Sequence, residues 1–212
     1  MEKMSIHRAL SDLKLYDAKI NKATREGRFI EEHKLSDSKI KGKTIEELKN
    51  EIQGSMDKVT ALIENKKRIK SAIVLSNATT TIVIGDKTYT VAEAIERKNM
   101  IGLEYTLLNS LRLQYNQALL SVETENNRLS DRFEKYLQNV LGDKDKRNVD
   151  DIEAHRKTFY GREEHELIDP LKLSDVIEQM TEDLETFSKE IDYKLSESNA
   201  TTFIEVDLTT VK

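Results

Sequence analysis

Between Thr44 and Ser76 the chain has no proline and a single glycine, and its apolar residues return with a heptad step. Positions 45, 48, 52, 55, 59, 62, 66, 69 and 73 read Ile, Leu, Ile, Ser, Val, Leu, Lys, Ile, Ile, so seven of nine are apolar. A 3.5-residue period places them on one stripe of a helix. Thr44 followed by Glu47 is a capping-box pattern: the threonine hydroxyl accepts from the third amide and the glutamate reaches back to the first. A helix over 45–75 would be roughly 45 Å long at 1.5 Å per residue. That is longer than a compact small domain needs, and it suits a coiled-coil-like hairpin.

The same helix runs into a repeated phrase. SNATTTIVI begins at Ser76 and SNATTFIEV at Ser198, identical at six of nine positions. In both copies an amphipathic stretch precedes the phrase and β-formers follow it. Asn suits a left-handed C-cap, so each phrase reads as a helix exit into a strand. Gly85-Asp86 is a turn signal, and Lys87–Thr90 would return as a second strand. Two helices running the same way would then deliver a small sheet of about three strands, over 79–90 and 202–208.

Other helices flank these turns. Ser5 caps a first helix with Ile6, Leu10, Leu13, Tyr16, Ile20 and Ala23 at three-to-four spacing, and Gly27 stops it. Residues 28–43 read as a loop or short β excursion. Thr90 and Glu93 form a second capping box, which opens a helix with Val91, Ile95, Leu103, Leu107, Leu111 and Ala118 on its apolar face. Helical spacing persists through Leu129, Phe133, Tyr136, Leu137 and Val140, as one helix or two. A polar break follows at 142–147. A last helix starts after Pro170 with Ser174 as its cap and carries Ile177, Met180, Leu184, Phe187, Ile191 and Leu195. The expected fold is mainly α: a long antiparallel bundle or coiled-coil-like hairpin with a small β cap, one elongated domain over 1–212, and 121–168 as an insertion or irregular arm.

Composition decides among function classes. Charged residues make up 34%, and the net charge of −5 gives no general attraction to nucleic acid or acidic membranes. The absence of cysteine excludes disulfides and thiolate chemistry. No window approaches the 18 apolar residues of a membrane span, and no signal peptide is visible. A cytoplasmic location is expected, and the Asn77 and Asn199 glycosylation sequons are discounted. The histidines at 7, 33, 155 and 165 lack metal-ligand spacing, so no metal or cofactor is expected. GxSxG, P-loop and GxGxxG patterns are missing, and the many carboxylates single out no acid–base pair. The basic run Lys66–Lys70 reads as a solvated helix face.

The order of parts resembles a septicolysin-like family of bacterial chromosomes and phage genomes. Ala9-Leu10, Ser76-Asn77, Thr80, Gly85, Thr90, Ala94-Ile95, Arg97, Asn199, Thr201 and Thr202 carry the likeness. Ala200 stands where that family has Trp, and Lys98 where an acidic residue follows the Arg. The resemblance implies no activity; a phage-encoded member could reside in host cytoplasm or in a virion.

Two site candidates emerge. Asn77, Thr79, Thr80, Arg97, Asn199, Thr201 and Thr202 either cap helices or form a polar pocket for an anionic, nucleotide-like ligand. Phe159, Tyr160 and Arg162 form an aromatic–Gly–Arg loop that reads either as an interface element or equally as a local packing plug. The leading expectation is a non-enzymatic, self-associating protein (a homo-oligomer, with or without a further protein partner). The alternative is a small-ligand binder or sequestering protein.

Overall fold

A computed structural model describes residues 1–142 and 148–210. The element order is β1 (Glu2–Ser5), α1 (Ile6–Glu26), β2 (Lys39–Ile40), β3 (Lys43–Thr44), α2 (Ile45–Thr79), β4 (Thr81–Ile84), β5 (Lys87–Thr90), α3 (Val91–Leu141), α4 (Val149–Glu163), α5 (Leu173–Thr201) and β6 (Phe203–Val206). The fold is mainly α with a small β cap. The chain divides into two compact units, Met1–Asn99 with Thr186–Lys212, and Met100–Glu185.

Both capping boxes form. The Thr44 hydroxyl accepts from the Glu47 amide at 3.2 Å, and the Glu47 carboxylate accepts from the Thr44 amide at 2.7 Å. Thr90 and Glu93 repeat this at 3.1 and 2.8 Å. The α2 seam also forms: Leu48, Leu62, Ile69 and Ile73 are buried, and the other heptad positions are half-buried.

The first unit contains one arrangement twice. In the first copy α2 leads through Thr80 into β4, which pairs with β5, and β5 leads into α3. In the second, α5 leads through Thr202 into β6, which pairs with β1, and β1 leads into α1. The registers correspond: Thr81 faces Thr90 as Phe203 faces Ser5, and Ile82 faces Tyr89 as Ile204 faces Met4. The carbonyl of Thr80 accepts from the Val91 amide at 2.9 Å, and that of Thr202 accepts from the Ile6 amide at 3.0 Å. Both exit strands bury alternate residues, as a one-sided strand must. Val91 and Ile6 are buried at the matching helix starts, and Ala94 and Ala9 are both 0% exposed.

The structure departs from the expected fold in three places. The expected three-stranded sheet is replaced by separate two-stranded ladders, because β6 pairs with the N-terminal β1 and not with β4. A lone pair is marginal in water, so each ladder relies on a helix beneath it. Met4, Ile6, Ala9, Ile204 and Val206 pack on Ile69 and Ile73 of α2. Second, Asn77 and Asn199 do not cap in the left-handed region. Both helices run on to Thr79 and Thr201, and Thr80 ends α2 with extended backbone (φ −80°, ψ 131°). Third, Ser174 lies inside α5, and the Asp169 carboxylate instead accepts from the Leu173 amide at 2.9 Å. The 28–43 stretch holds a small hairpin, β2–β3, turned by Lys41 and Gly42 with φ of 49° and 84°. Paired positive φ values suit the twist of a two-residue turn.

The second unit contains the remainder of α3, α4 and the start of α5. Residues 91–141 form one helix, and the 121–168 segment, read as an insertion or irregular arm, holds the end of that helix and α4. Gly142 follows with φ +75°; the rest of the polar break lies outside the described residues. The apolar face assigned to α3 is also corrected. Val91 is buried and Ile95 and Leu111 are half-buried, but Leu103, Leu107 and Ala118 are exposed, and Leu108 is buried instead. Apolar residues occur on several faces of this helix, so periodicity does not single out one.

Two expectations follow. Ala9→Leu and Ala94→Leu should each cost about 1–3 kcal/mol by overpacking, and urea unfolding should show comparable losses. Tolerance at one site alone would break the equivalence of the two copies. Glu47 and Glu93 also carry pKa values lowered from the ordinary 4.5, chiefly by the Thr44 and Thr90 backbone amides and then by their hydroxyls. A carboxylate whose folded pKa is depressed contributes stability above its unfolded pKa, and loses it as pH falls through the folded value. Melting temperature should therefore drop on acidification below about 4.5, and less steeply in the Glu47→Gln/Glu93→Gln variant. Superimposable pH profiles would contradict this assignment.

Candidate functional site

The threonines of each SNATT phrase bond to their own helix end. The Thr79 hydroxyl donates to the Leu75 carbonyl at 3.1 Å, and the Thr201 hydroxyl to that of Glu197 at 2.9 Å. The Thr80 and Thr202 amides donate to the carbonyls of Ser76 and Ser198 at 2.8 and 2.9 Å. These are the bonds that satisfy orphan groups at a helix terminus. Asn77 and Asn199 are half-buried at matching positions.

Arg97 is engaged elsewhere. Its guanidinium donates to the Tyr89 hydroxyl at 2.6 Å and lies 4.4 Å from the centre of the Phe187 ring. Tyr89 and Phe187 meet edge to face at 5.8 Å. Arg97 thus bridges the β5 strand and α5, as a cation over an aromatic pair. Tyr89 and Phe187 were missed as partners of Arg97, although Phe187 was placed correctly on the α5 seam.

The two copies differ in the side chains that pin their strands. Eight residues before each SNATT stand Arg68 and Glu190. Arg68 donates to the Asp207 carbonyl at 2.8 Å, while Glu190 accepts from the Gly85 amide at 3.2 Å. Asp207 and Gly85 occupy equivalent places after their strands. Buried Asn65 also clasps Thr209, donating to its carbonyl and accepting from its amide, both at 2.8 Å. An asparagine inside an apolar helical stripe was the available signal for this clasp.

In the second unit Phe159 and Tyr160 lie within α4, not in a loop. They pack with Phe133 at 5.3 and 5.6 Å between ring centres, beside Tyr136. The Tyr136 hydroxyl meets His155 Nδ1 at 2.9 Å. Arg162 lies near the end of α4 and is exposed, and Arg132 pairs with Glu163. Asn126 repeats the clasp seen at Asn65: it accepts from the His165 amide and donates to its carbonyl, at 2.9 and 2.8 Å. Phe159 and Tyr160 therefore fill a local aromatic core between α3 and α4.

Several of the exposed apolar residues lie on α3. Met100, Leu103 and Leu107 are 55%, 68% and 52% exposed and share one face at three-to-four spacing. Leu113 and Leu120, seven residues apart, are exposed on another. The Arg112 guanidinium donates to the Thr181 hydroxyl of α5 at 2.6 Å, which fixes a third direction as already covered.

Among the described residues no helix is long and apolar enough to cross a membrane, and no cluster of three or more His, Asp or Glu is placed to hold a metal ion. No family model, curated protein or solved structure matches the chain.

Replacing Arg97 by Ala removes the stack and the hydroxyl bond, and should destabilise the protein by about 1–2 kcal/mol in chemical denaturation. Arg97→Lys should recover only part of it. An unchanged midpoint in Arg97→Ala would show that the bridge carries no stability.

Proposed function

We propose that this chain is a non-enzymatic, self-associating helical protein whose work is assembly, with a second copy of itself as the first partner. The observation that carries this is the stripe of Met100, Leu103 and Leu107 on α3. A helix with apolar residues on several faces belongs in a covered setting, and contiguous exposed apolar surface marks an interaction site. The 100, 103, 107 spacing is that of a coiled-coil seam, which is self-complementary across a two-fold axis. Burying what is exposed of each leucine would contribute about 1–2 kcal/mol, and symmetry counts every side chain twice. The bonds within the SNATT turns and around Arg97 favour structural roles over the ligand pocket. This reading keeps the chain with the septicolysin-like proteins on its Asn/Thr turns, and places it in cytoplasm, or in a virion if it is phage-encoded.

Sedimentation equilibrium checks this reading. A defined oligomer is expected at micromolar concentration. Leu103→Glu/Leu107→Glu should be monomeric with unchanged circular dichroism. A wild-type protein that stays monomeric at high micromolar concentration would overturn the proposal.

A further inference from the structure

Helix pairs usually set opposite charges across their seam, and the α1–α2 pair does so where Lys66 of α2 meets Asp17 of α1. Two turns away the pattern breaks. There the helices border an open cleft of about 540 Å³, within the usual range for small-molecule sites. Lys19 and Lys22 line it from α1 and Lys58 from α2. Ala23 and Leu62 add apolar surface, and Glu26 is the one carboxylate in the lining.

None of these three lysines has an acidic partner among the described residues. The Lys19 ammonium lies 5.6 Å from the centre of the Tyr16 ring. The dipole of α1 favours cations in its last turn, where the basic residue is Arg25, so it does not account for Lys19 or Lys22. Nor does a helix end account for Lys58, which sits mid-way along α2. Like charges around one cleft repel, and the repulsion grows as water is displaced. An anion carrying at least two charges would reverse its sign. The chain as a whole carries a net charge of −5, so a general excess of basic residues does not account for three cations around one cleft.

We propose that the α1–α2 cleft walled by Lys19, Lys22 and Lys58 is a binding site for a small organic polyphosphate. Two or more phosphates would sit among the ammonium groups, and an apolar body would lie on Ala23 and Leu62. The lysines come from two helices, so an occupant would tie α1 to α2. The site is independent of the α3 stripe, and neither proposal needs the other.

Isothermal titration of the full chain near physiological ionic strength, with inorganic tripolyphosphate and with ATP, tests the site. Saturable binding of one molecule per chain is expected. Lys58→Glu and Lys22→Glu should each weaken it about tenfold or more. Lys67→Glu, on α2 but outside the cleft, should leave it unchanged. Tighter binding of ATP than of tripolyphosphate would support a role for the apolar surface; equal binding would support recognition of phosphate by the lysines alone. No saturable heat with either probe would overturn the proposal. So would equal losses in Lys58→Glu and Lys67→Glu, which would indicate diffuse basic attraction. Circular dichroism of each variant separates lost binding from lost folding.

Discussion

The backbone bond that closes each helix exit is what the first unit depends on. The Thr80 carbonyl accepts from Val91, and the Thr202 carbonyl accepts from Ile6. Each bond joins the end of one long helix to the start of another across a strand pair. It also sets the register that puts Ile82, Ile84, Ile204 and Val206 on their buried faces. A one-residue slip would turn each of those sets outward. The recurrence of nearly the same nine residues at both exits follows from this: the same backbone path places the same demands on small, hydrogen-bonding and β-branched side chains.

The copies share backbone and differ in side chains, and that is where specificity enters. An arginine holds a strand-end carbonyl in one copy, while a glutamate holds an amide in the other. Asn65 clasps Thr209 where Phe187 stacks under Arg97. Surface ion pairs such as Lys98–Asp192 add little by comparison. The second unit has its own anchor in Phe133, Tyr136, Phe159 and Tyr160. Its α3 segment leaves Leu103 and Leu107 exposed among the described residues, and the proposed assembly would bury them.

Local signals were legible in the sequence. Both capping boxes, the Gly85 turn, the α2 heptad seam and the helix-to-strand exits depend on residues within a few positions of one another. Partners far apart in sequence were not. β1 is four residues whose strand character comes only from pairing with β6 near the other end of the chain. The exposed side of α3 was hidden because apolar residues lie all round it. Arg97 was singled out, but its aromatic partners come from β5 and α5 and share no local pattern with it. The lysine cleft escaped for the same reason, since Lys58 joins Lys19 and Lys22 only once α1 and α2 have paired.

The most direct measurement of the central claim, that two equivalent strand-paired helix exits organise this fold, is amide hydrogen exchange resolved to single residues. The amides of Ile6 and Val91 should both be strongly protected, with similar opening free energies, as should those of the two ladders. Protection at Val91 alone, with Ile6 and the β1–β6 ladder exchanging at the rate of a loop, would contradict it.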